Sequence, residues 1–164
     1  MQWDFINGAL GTPEAIHILP KVKEKILQYI NTNNEILYTQ DTHNDNYLFT
    51  QEGQKLPVPH CIKNTKGWEI PKAIDSKAFY HIHKQTFGWT NWYGLDEFES
   101  IEIIGLCTDI FIVSNALIIK ALYPEIPITV DASCCAGTSP KAHQAALMTM
   151  ESCQIQVINN EGAE

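Results

Sequence analysis

No apolar run in this 164-residue chain is long enough to cross a bilayer. One of the longest, Ile110 to Leu122, is broken by Ser114, Asn115 and Lys120 and falls short of the roughly 20 apolar residues that a span requires. A charged N-terminal region followed by an apolar core and a cleavage site is also missing, so no export signal is expected. The chain reads as cytoplasmic and soluble, without a membrane partner. Positive charge is scarce, with 11 Lys and Arg against 19 Asp and Glu and a formal net charge of −8. Non-specific nucleic-acid binding depends on neutralising phosphates, so a small molecule is the expected partner. The cysteines lack organisation: Cys61, Cys107, Cys134, Cys135 and Cys153 form neither a CxxC pair nor a spaced framework. An odd count in a domain of this size points to reduced thiols. Adjacent Cys134 and Cys135, flanking a strand end, are read as small packing residues rather than a metal or redox pair.

A hydrophobic content of 45% is enough to bury a core, and one domain spanning 1–164 is expected. Thr12-Pro13-Glu14 has the form of an N-cap, a first-turn proline and an early acid. The helix it opens carries Val22, Ile26, Leu27 and Ile30 at helical spacing. Pro20 predicts a kink or short break near Leu19, and Asn31 to Asn34 end the helix. Glu35 to Thr39 then read as a strand running into Asp41. From Asp41 to Asp75 periodicity is almost absent, and a structureless stretch of that length usually has a function. Ala78 to His83 read as a strand, followed by an aromatic loop with Phe87, Trp89, Trp92 and Tyr93. Ile101 to Leu106 have the nearly continuous apolar character of a strand buried on both faces, and Asp109 to Leu122 read as a helix. Ile126 to Asp131 make another strand with Gly137 in the turn after it. Ser139-Pro140 opens a helix to about Ser152, and Gln154 to Ile158 supply a last strand before the polar tail Asn159 to Glu164. Alternating strands and helices predict an α/β fold with a mostly parallel sheet. Ligands of such sheets sit beyond the strands' carboxyl ends, where Asp41, Lys84 and the turn from Thr108 to Phe111 fall.

Three groups of residues carry chemistry. Asp41, His43, Glu52 and His60 put two imidazoles and two carboxylates on one loop, the nitrogen and oxygen donors that borderline divalent metals accept. By spacing alone, a solvated His43 and a buried hydrogen-bonding His60 explain the same residues equally well. Lys84, at a strand's carboxyl end, is either held cationic by a carboxylate or lowered in pKa by burial, though a lone lysine is usually a solvated surface residue. The turn Gly105 to Phe111 leads into a helix whose first N–H groups would lower a thiol pKa and hold an oxyanion. The position suited to a nucleophile carries Phe111, which does neither job.

Met1-Gln2-Trp3-Asp4-Phe5-Ile6-Asn7-Gly8-Ala9-Leu10-Gly11, Asp41-Thr42-His43, Leu56 to Cys61, Gly105 to Asp109 and Asp131 to Gly137 resemble, in order, the landmarks of the isochorismatase-like cysteine hydrolases, closest to the nicotinamidases. The resemblance implies a three-layer fold whose first strand precedes Met1, so the sequence is expected to begin inside a longer reading frame or to be a decayed product. It implies a divalent metal, zinc or iron, held by Asp41, His43, Glu52 and His60 and receiving the pyridine nitrogen of a small aromatic amide. Lys84 matches the family's catalytic lysine, and Phe5, Trp89, Trp92 and Cys107 fall around the substrate. Pro57 departs from the aromatic residue often found shortly before the last metal histidine. The family's triad is Asp, Lys and Cys: the aspartate takes the thiol proton, the thiolate attacks the amide carbonyl, ammonia leaves, and water releases the acid. Here the aspartate would precede Met1, and Phe111 stands at the cysteine's position. Asp4 matches the family's second, non-catalytic acid. Cys107 lies before the helix, at a turn where relatives often have a cis peptide before the threonine, and is the weaker candidate for a relocated nucleophile. The expectation is a nicotinamidase-type amidohydrolase, inactive as written. The alternatives are a non-catalytic metal- and ligand-binding module or a metal-free hydrolase of another substrate. A homo-oligomer is allowed.

Overall fold

The computed structural model describes residues 1–75 and 80–162. They fall into two compact units, Met1–Thr86 and Phe87–Glu164. Among the described residues no helix is long and apolar enough to cross a membrane.

In the first unit, α1 (Trp3–Ile6) precedes α2 (Pro13–Asn31). The Thr12 side chain accepts the Ala15 N–H at 3.1 Å, and Pro13 at the first helical position sacrifices a donor that would have had no intrahelical partner. Ala15, Ile18, Val22 and Ile26 form the buried stripe. The break expected at Pro20 does not occur, and α2 runs through it. Pro20 and Ile16 are both exposed, so water can satisfy the Ile16 carbonyl that loses its partner. Strand β1 (Leu37–Asp41) starts two residues later than predicted and runs into Asp41 as expected. It pairs in parallel with β2 (Tyr80–Lys84), Leu37 opposite Tyr80 and Asp41 opposite Lys84. Ala78 and Phe79, expected to begin that strand, lie outside the described residues.

The stretch predicted to be structureless is ordered by local caps rather than by apolar periodicity. A 3-10 turn at Tyr47–Phe49 leads to α3 (Gln51–Lys55). Thr50 caps α3, accepting the Gly53 N–H at 3.0 Å while donating to the Tyr47 carbonyl at 2.7 Å. His43 forms an isolated parallel bridge with Ile62. Such short elements bury few side chains, so they leave no repeating apolar signal to read.

The second unit holds β3 (Ile101–Leu106), α4 (Val113–Leu122), β4 (Ile128–Ala136), α5 (Pro140–Ser152) and β5 (Gln156–Ile158). Its strands pair in parallel in the order β3-β4-β5. Strand β3 matches its predicted bounds, yet Ile101 to Ile104 are half-buried rather than covered on both faces; within this sheet β3 is an edge and β4 takes the buried centre. The register slips between Ile103 and Gly105, where Gly105 adopts φ 125°, a conformation costly for a residue with a Cβ. Across the slip, the Asp131 carboxylate accepts the Ser133 N–H at 3.1 Å and hydroxyl at 2.8 Å. Ser139 caps α5 ahead of Pro140, as the sequence predicts. Cys134 and Cys135 are both buried inside β4.

Candidate functional site

Asp41 ends β1, and the chain then turns so that His43 lies on the same side two residues later. His43 Nε2 approaches Asp41 Oδ2 at 3.1 Å. His60 is brought in from the other end of the loop, because the His43 N–H donates to Cys61 O at 2.9 Å and the Lys63 N–H to His43 O at 2.8 Å. His60 Nε2 stands 3.7 Å from Asp41 Oδ2. Asp41, His43 and His60 are all buried, and each offers a ligand atom within 4.8 Å of the others. Glu52, in the first turn of α3 and partly exposed, reaches His43 Nε2 at 3.7 Å and His60 Nε2 at 3.6 Å. It flanks the two imidazoles and stands outside the tight group of three.

The donors suit a small divalent cation. Ligands about 2.0–2.1 Å from a tetrahedral ion lie roughly 3.3 Å from one another, and the four imidazole–carboxylate separations here run from 3.1 to 3.7 Å, with the ligand atoms of Asp41, His43 and His60 all within 4.8 Å of one another. His60 Nδ1 lies 2.8 Å from the Val58 carbonyl, so it carries the proton and leaves the Nε2 lone pair facing the group, a hydrogen bond that fixes the tautomer and orientation of an imidazole ligand.

Burial opposes ionisation of Asp41, but the His43 hydrogen bond and the Lys84 charge outweigh it and hold the carboxyl below its ordinary value. Burial lowers the pKa of His43, and the hydrogen bond and charge of Asp41, with Glu52, reverse this and raise it. Glu52 is raised, mainly by burial. Lys84 is buried, with Nζ 3.4 Å from Asp41 Oδ1 and 2.9 Å from the Thr86 carbonyl. Desolvation lowers its pKa, and the Asp41 charge opposes that shift. The parallel register sets this contact by placing Lys84 opposite Asp41.

Two supporting residues, Tyr47 and Trp68, were not singled out from the sequence. Tyr47 is buried, its ring centroid 4.7 Å from that of His43 and 5.0 Å from that of His60; burial, with the charge of Glu52, pushes its hydroxyl up to about 12. An aromatic placed directly after the polar run Asn44-Asp45-Asn46, ahead of Leu48 and Phe49, was the available signal. Trp68 donates from Nε1 to Thr42 Oγ1 at 2.8 Å. Phe5 is buried and packs edge-on to His60, centroids 5.5 Å apart, which puts it beside the imidazoles. Asp4 accepts the Cys61 N–H at 2.7 Å. Cys61 itself is buried, and desolvation raises its thiol pKa well above the ordinary value.

The remaining predicted residues belong to the second unit. The helix expected from Asp109 begins one residue earlier as a π-helical turn, Thr108–Ile112. The Cys107 carbonyl receives the N–H groups of Ile110, Phe111 and Ile112 at 3.2, 2.9 and 3.1 Å. The free N–H groups expected around position 111 are therefore turned back on the chain, because the wide first turn closes on a single carbonyl. The Phe111 ring is buried and packs against Phe87 at 6.0 Å. Cys107 is also buried, and the cis bond at this turn joins Leu106 to Cys107, one residue ahead of the expected place. Trp89 donates its indole N–H to Asn91 O at 3.1 Å. Trp92 is buried, and its Nε1 has no hydrogen-bond partner.

The family model described as isochorismatase domain matches residues 1–162. The pyrazinamidase of Pyrococcus horikoshii, solved in complex with zinc, is similar at 26% identity and TM-score 0.79, over 96% of this chain and 94% of that one. The nicotinamidase of Bacillus subtilis shares 24% identity at TM-score 0.75, over 95% and 93% of the respective chains. The N-carbamoylsarcosine amidase of Thermoplasma acidophilum shares 23% at TM-score 0.75, over 96% and 90%. A search of curated proteins finds no match.

Proposed function

Since the chain belongs to the isochorismatase family, we propose that it is a nicotinamidase-type protein that holds a divalent cation, zinc or iron, and binds a small aromatic amide such as nicotinamide, without hydrolysing it. The observation that carries this reading is the convergence of Asp41, His43 and His60, three buried donors within 4.8 Å, with Glu52 beside both imidazoles. Asp41, His43, Glu52 and His60 are assigned as the metal residues. When bound, the cation would supply a Lewis-acidic position for a pyridine nitrogen. Phe5, packed on His60, is assigned to the face of the ligand ring. Lys84, held by Asp41, is the catalytic lysine of the family pattern. Trp89, Trp92 and Cys107 are assigned to the ligand on the aligned motifs alone.

The absence of turnover rests on Phe111. A phenyl ring has no proton to lose and no lone pair with which to attack a carbonyl, and the buried Phe111 ring packs against Phe87. The test combines three measurements on the purified chain: metal content by mass spectrometry, nicotinamide binding by calorimetry with and without chelator, and ammonia release from nicotinamide. The expected outcome is one cation per chain, chelator-sensitive binding and ammonia release no faster than in buffer. Rapid ammonia release would overturn the assignment of Phe111 as the defect and point to Cys107. A chain that takes up no metal favours the other reading, a hydrolase of this family acting on another substrate.

A further inference from the structure

We infer that Gln2 is a positioning residue for the metal ligand Asp41, acting as a one-residue substitute for a neighbouring β-strand; the inference rests on the metal reading above. Strand β1 pairs with β2 on one edge, where the Thr42 N–H donates to Lys84 O at 2.8 Å. Backbone groups alternate in direction along a strand, so the N–H and carbonyl of Asp41 point to the opposite edge, and Asp41 is buried. Two unpaired buried backbone groups would carry a heavy desolvation penalty. The Gln2 carboxamide meets both: Nε2 donates to Asp41 O at 2.7 Å, and Oε1 accepts the Asp41 N–H at 2.7 Å. This donor and acceptor pair reproduces the exchange between two strand residues.

The second Nε2 hydrogen donates to Trp68 O at 2.9 Å, where Gln40 Nε2 also donates at 2.8 Å. Gln2 thus ties the ligand strand to the segment that follows His60. Its own backbone is held as the N-cap of α1, with Gln2 O accepting the N–H groups of Phe5 and Ile6, each at 3.1 Å. The first N–H groups of α1 donate onward, Trp3 to Glu69 O at 3.1 Å and Asp4 to Gly67 O at 2.9 Å. Gln2 is 2% exposed, so its bonds are not shared with bulk water. The carboxylate of Asp41 leaves a backbone clamped on both edges, and the direction of Oδ2 toward the imidazoles follows from that clamp.

The experiment compares zinc dissociation constants, measured by chelator competition, for the unaltered chain, Gln2→Leu and Gln2→Glu, with the cobalt absorption spectrum of each at saturation. Leucine removes donors and acceptor; glutamate keeps only the acceptor for the Asp41 N–H. Both variants should bind zinc about tenfold or more weakly, the range seen when a group that orients a metal ligand is lost, with full occupancy at saturating metal and a displaced cobalt band. A purely structural role would lower the melting temperature of the metal-free protein and leave the saturated cobalt spectrum unchanged. If Gln2→Leu does not fold, Gln2→Glu carries the comparison. Zinc constants within twofold of the unaltered chain, with identical cobalt spectra, would overturn the inference alone. An unaltered chain that binds no zinc would overturn the metal reading and this inference with it.

Discussion

Asp41 serves different partners with its two oxygens, Lys84 on Oδ1 and the imidazoles on Oδ2. The lysine and the two histidines are linked through this one carboxylate. Asp41→Asn keeps the shape and removes the charge, so the desolvation that already lowers Lys84 loses its main opposition. The pKa of Lys84 should fall further, which a pH titration of its ε-carbon resonance would read; an upward shift would contradict the assignment of Asp41 as its counter-ion. At the two imidazoles assigned to the metal, the double substitution His43→Ala with His60→Ala should bring bound metal to background, since water replaces an imidazole poorly in a site of mixed donors. Unchanged metal stoichiometry by mass spectrometry would remove the site from consideration.

Helix α3 shows how a short element shapes the site. A Cβ built on Gly53 would lie 2.1 Å from the Tyr47 carbonyl oxygen, a backbone atom that cannot swing aside. Gly53→Ala gains helix propensity of up to about 1 kcal/mol, while overpacking costs about 1–3 kcal/mol, so net destabilisation is expected in urea titrations. The displaced Tyr47 should also weaken metal binding, because its ring packs on both histidines. In the second unit, α5 bonds to the π turn through His143 Nδ1, 2.8 Å from Thr108 Oγ1. Burial lowers the His143 pKa, with Asp109 opposing, so the imidazole is neutral in the fold and protonates more readily in the unfolded chain. The unfolded state then binds more protons as the pH falls below about 6.5. This contribution to stability is full above that pH and lost as the pH falls through the lower folded-state value. Denaturation midpoints between pH 7.5 and 5 should decline less in His143→Gln than in the unaltered chain, and parallel declines would refute the role.

For the whole molecule, a ligand that binds only the folded state adds stability by mass action. Zinc at one hundred times its dissociation constant should stabilise the chain by about 2.7 kcal/mol, and chelator should reverse the gain. Hydrogen exchange would locate it. Slower exchange is expected in the unit Met1–Thr86, at the amides of Asp41 and His43 and at Lys63, whose N–H donates to the His43 carbonyl. Zinc that leaves both denaturation and exchange unchanged would speak against a resident cation.

The amino-acid sequence by itself determined the features that neighbouring residues control. Thr12-Pro13 and Ser139-Pro140 start helices because a cap and a fixed φ act within one turn. The apolar run Ile101 to Leu106 coincides with β3, and the donor chemistry of Asp41, His43, Glu52 and His60 was legible without coordinates. Only the tertiary structure decided which of these residues meet. Lys84 faces Asp41 because two strands separated by a long loop adopt one register out of several, and local propensity does not choose among registers. His60 joins His43 through backbone bonds to Cys61 and Lys63, while Glu52 stays outside the closest group. Gln2 pairs with the backbone of Asp41 across 39 residues of sequence. The N–H groups near Phe111 turn inward onto Cys107. Each of these rests on contacts between residues whose approach is governed by chain topology and by the need to pair buried polar groups, and no short stretch of sequence carries that information.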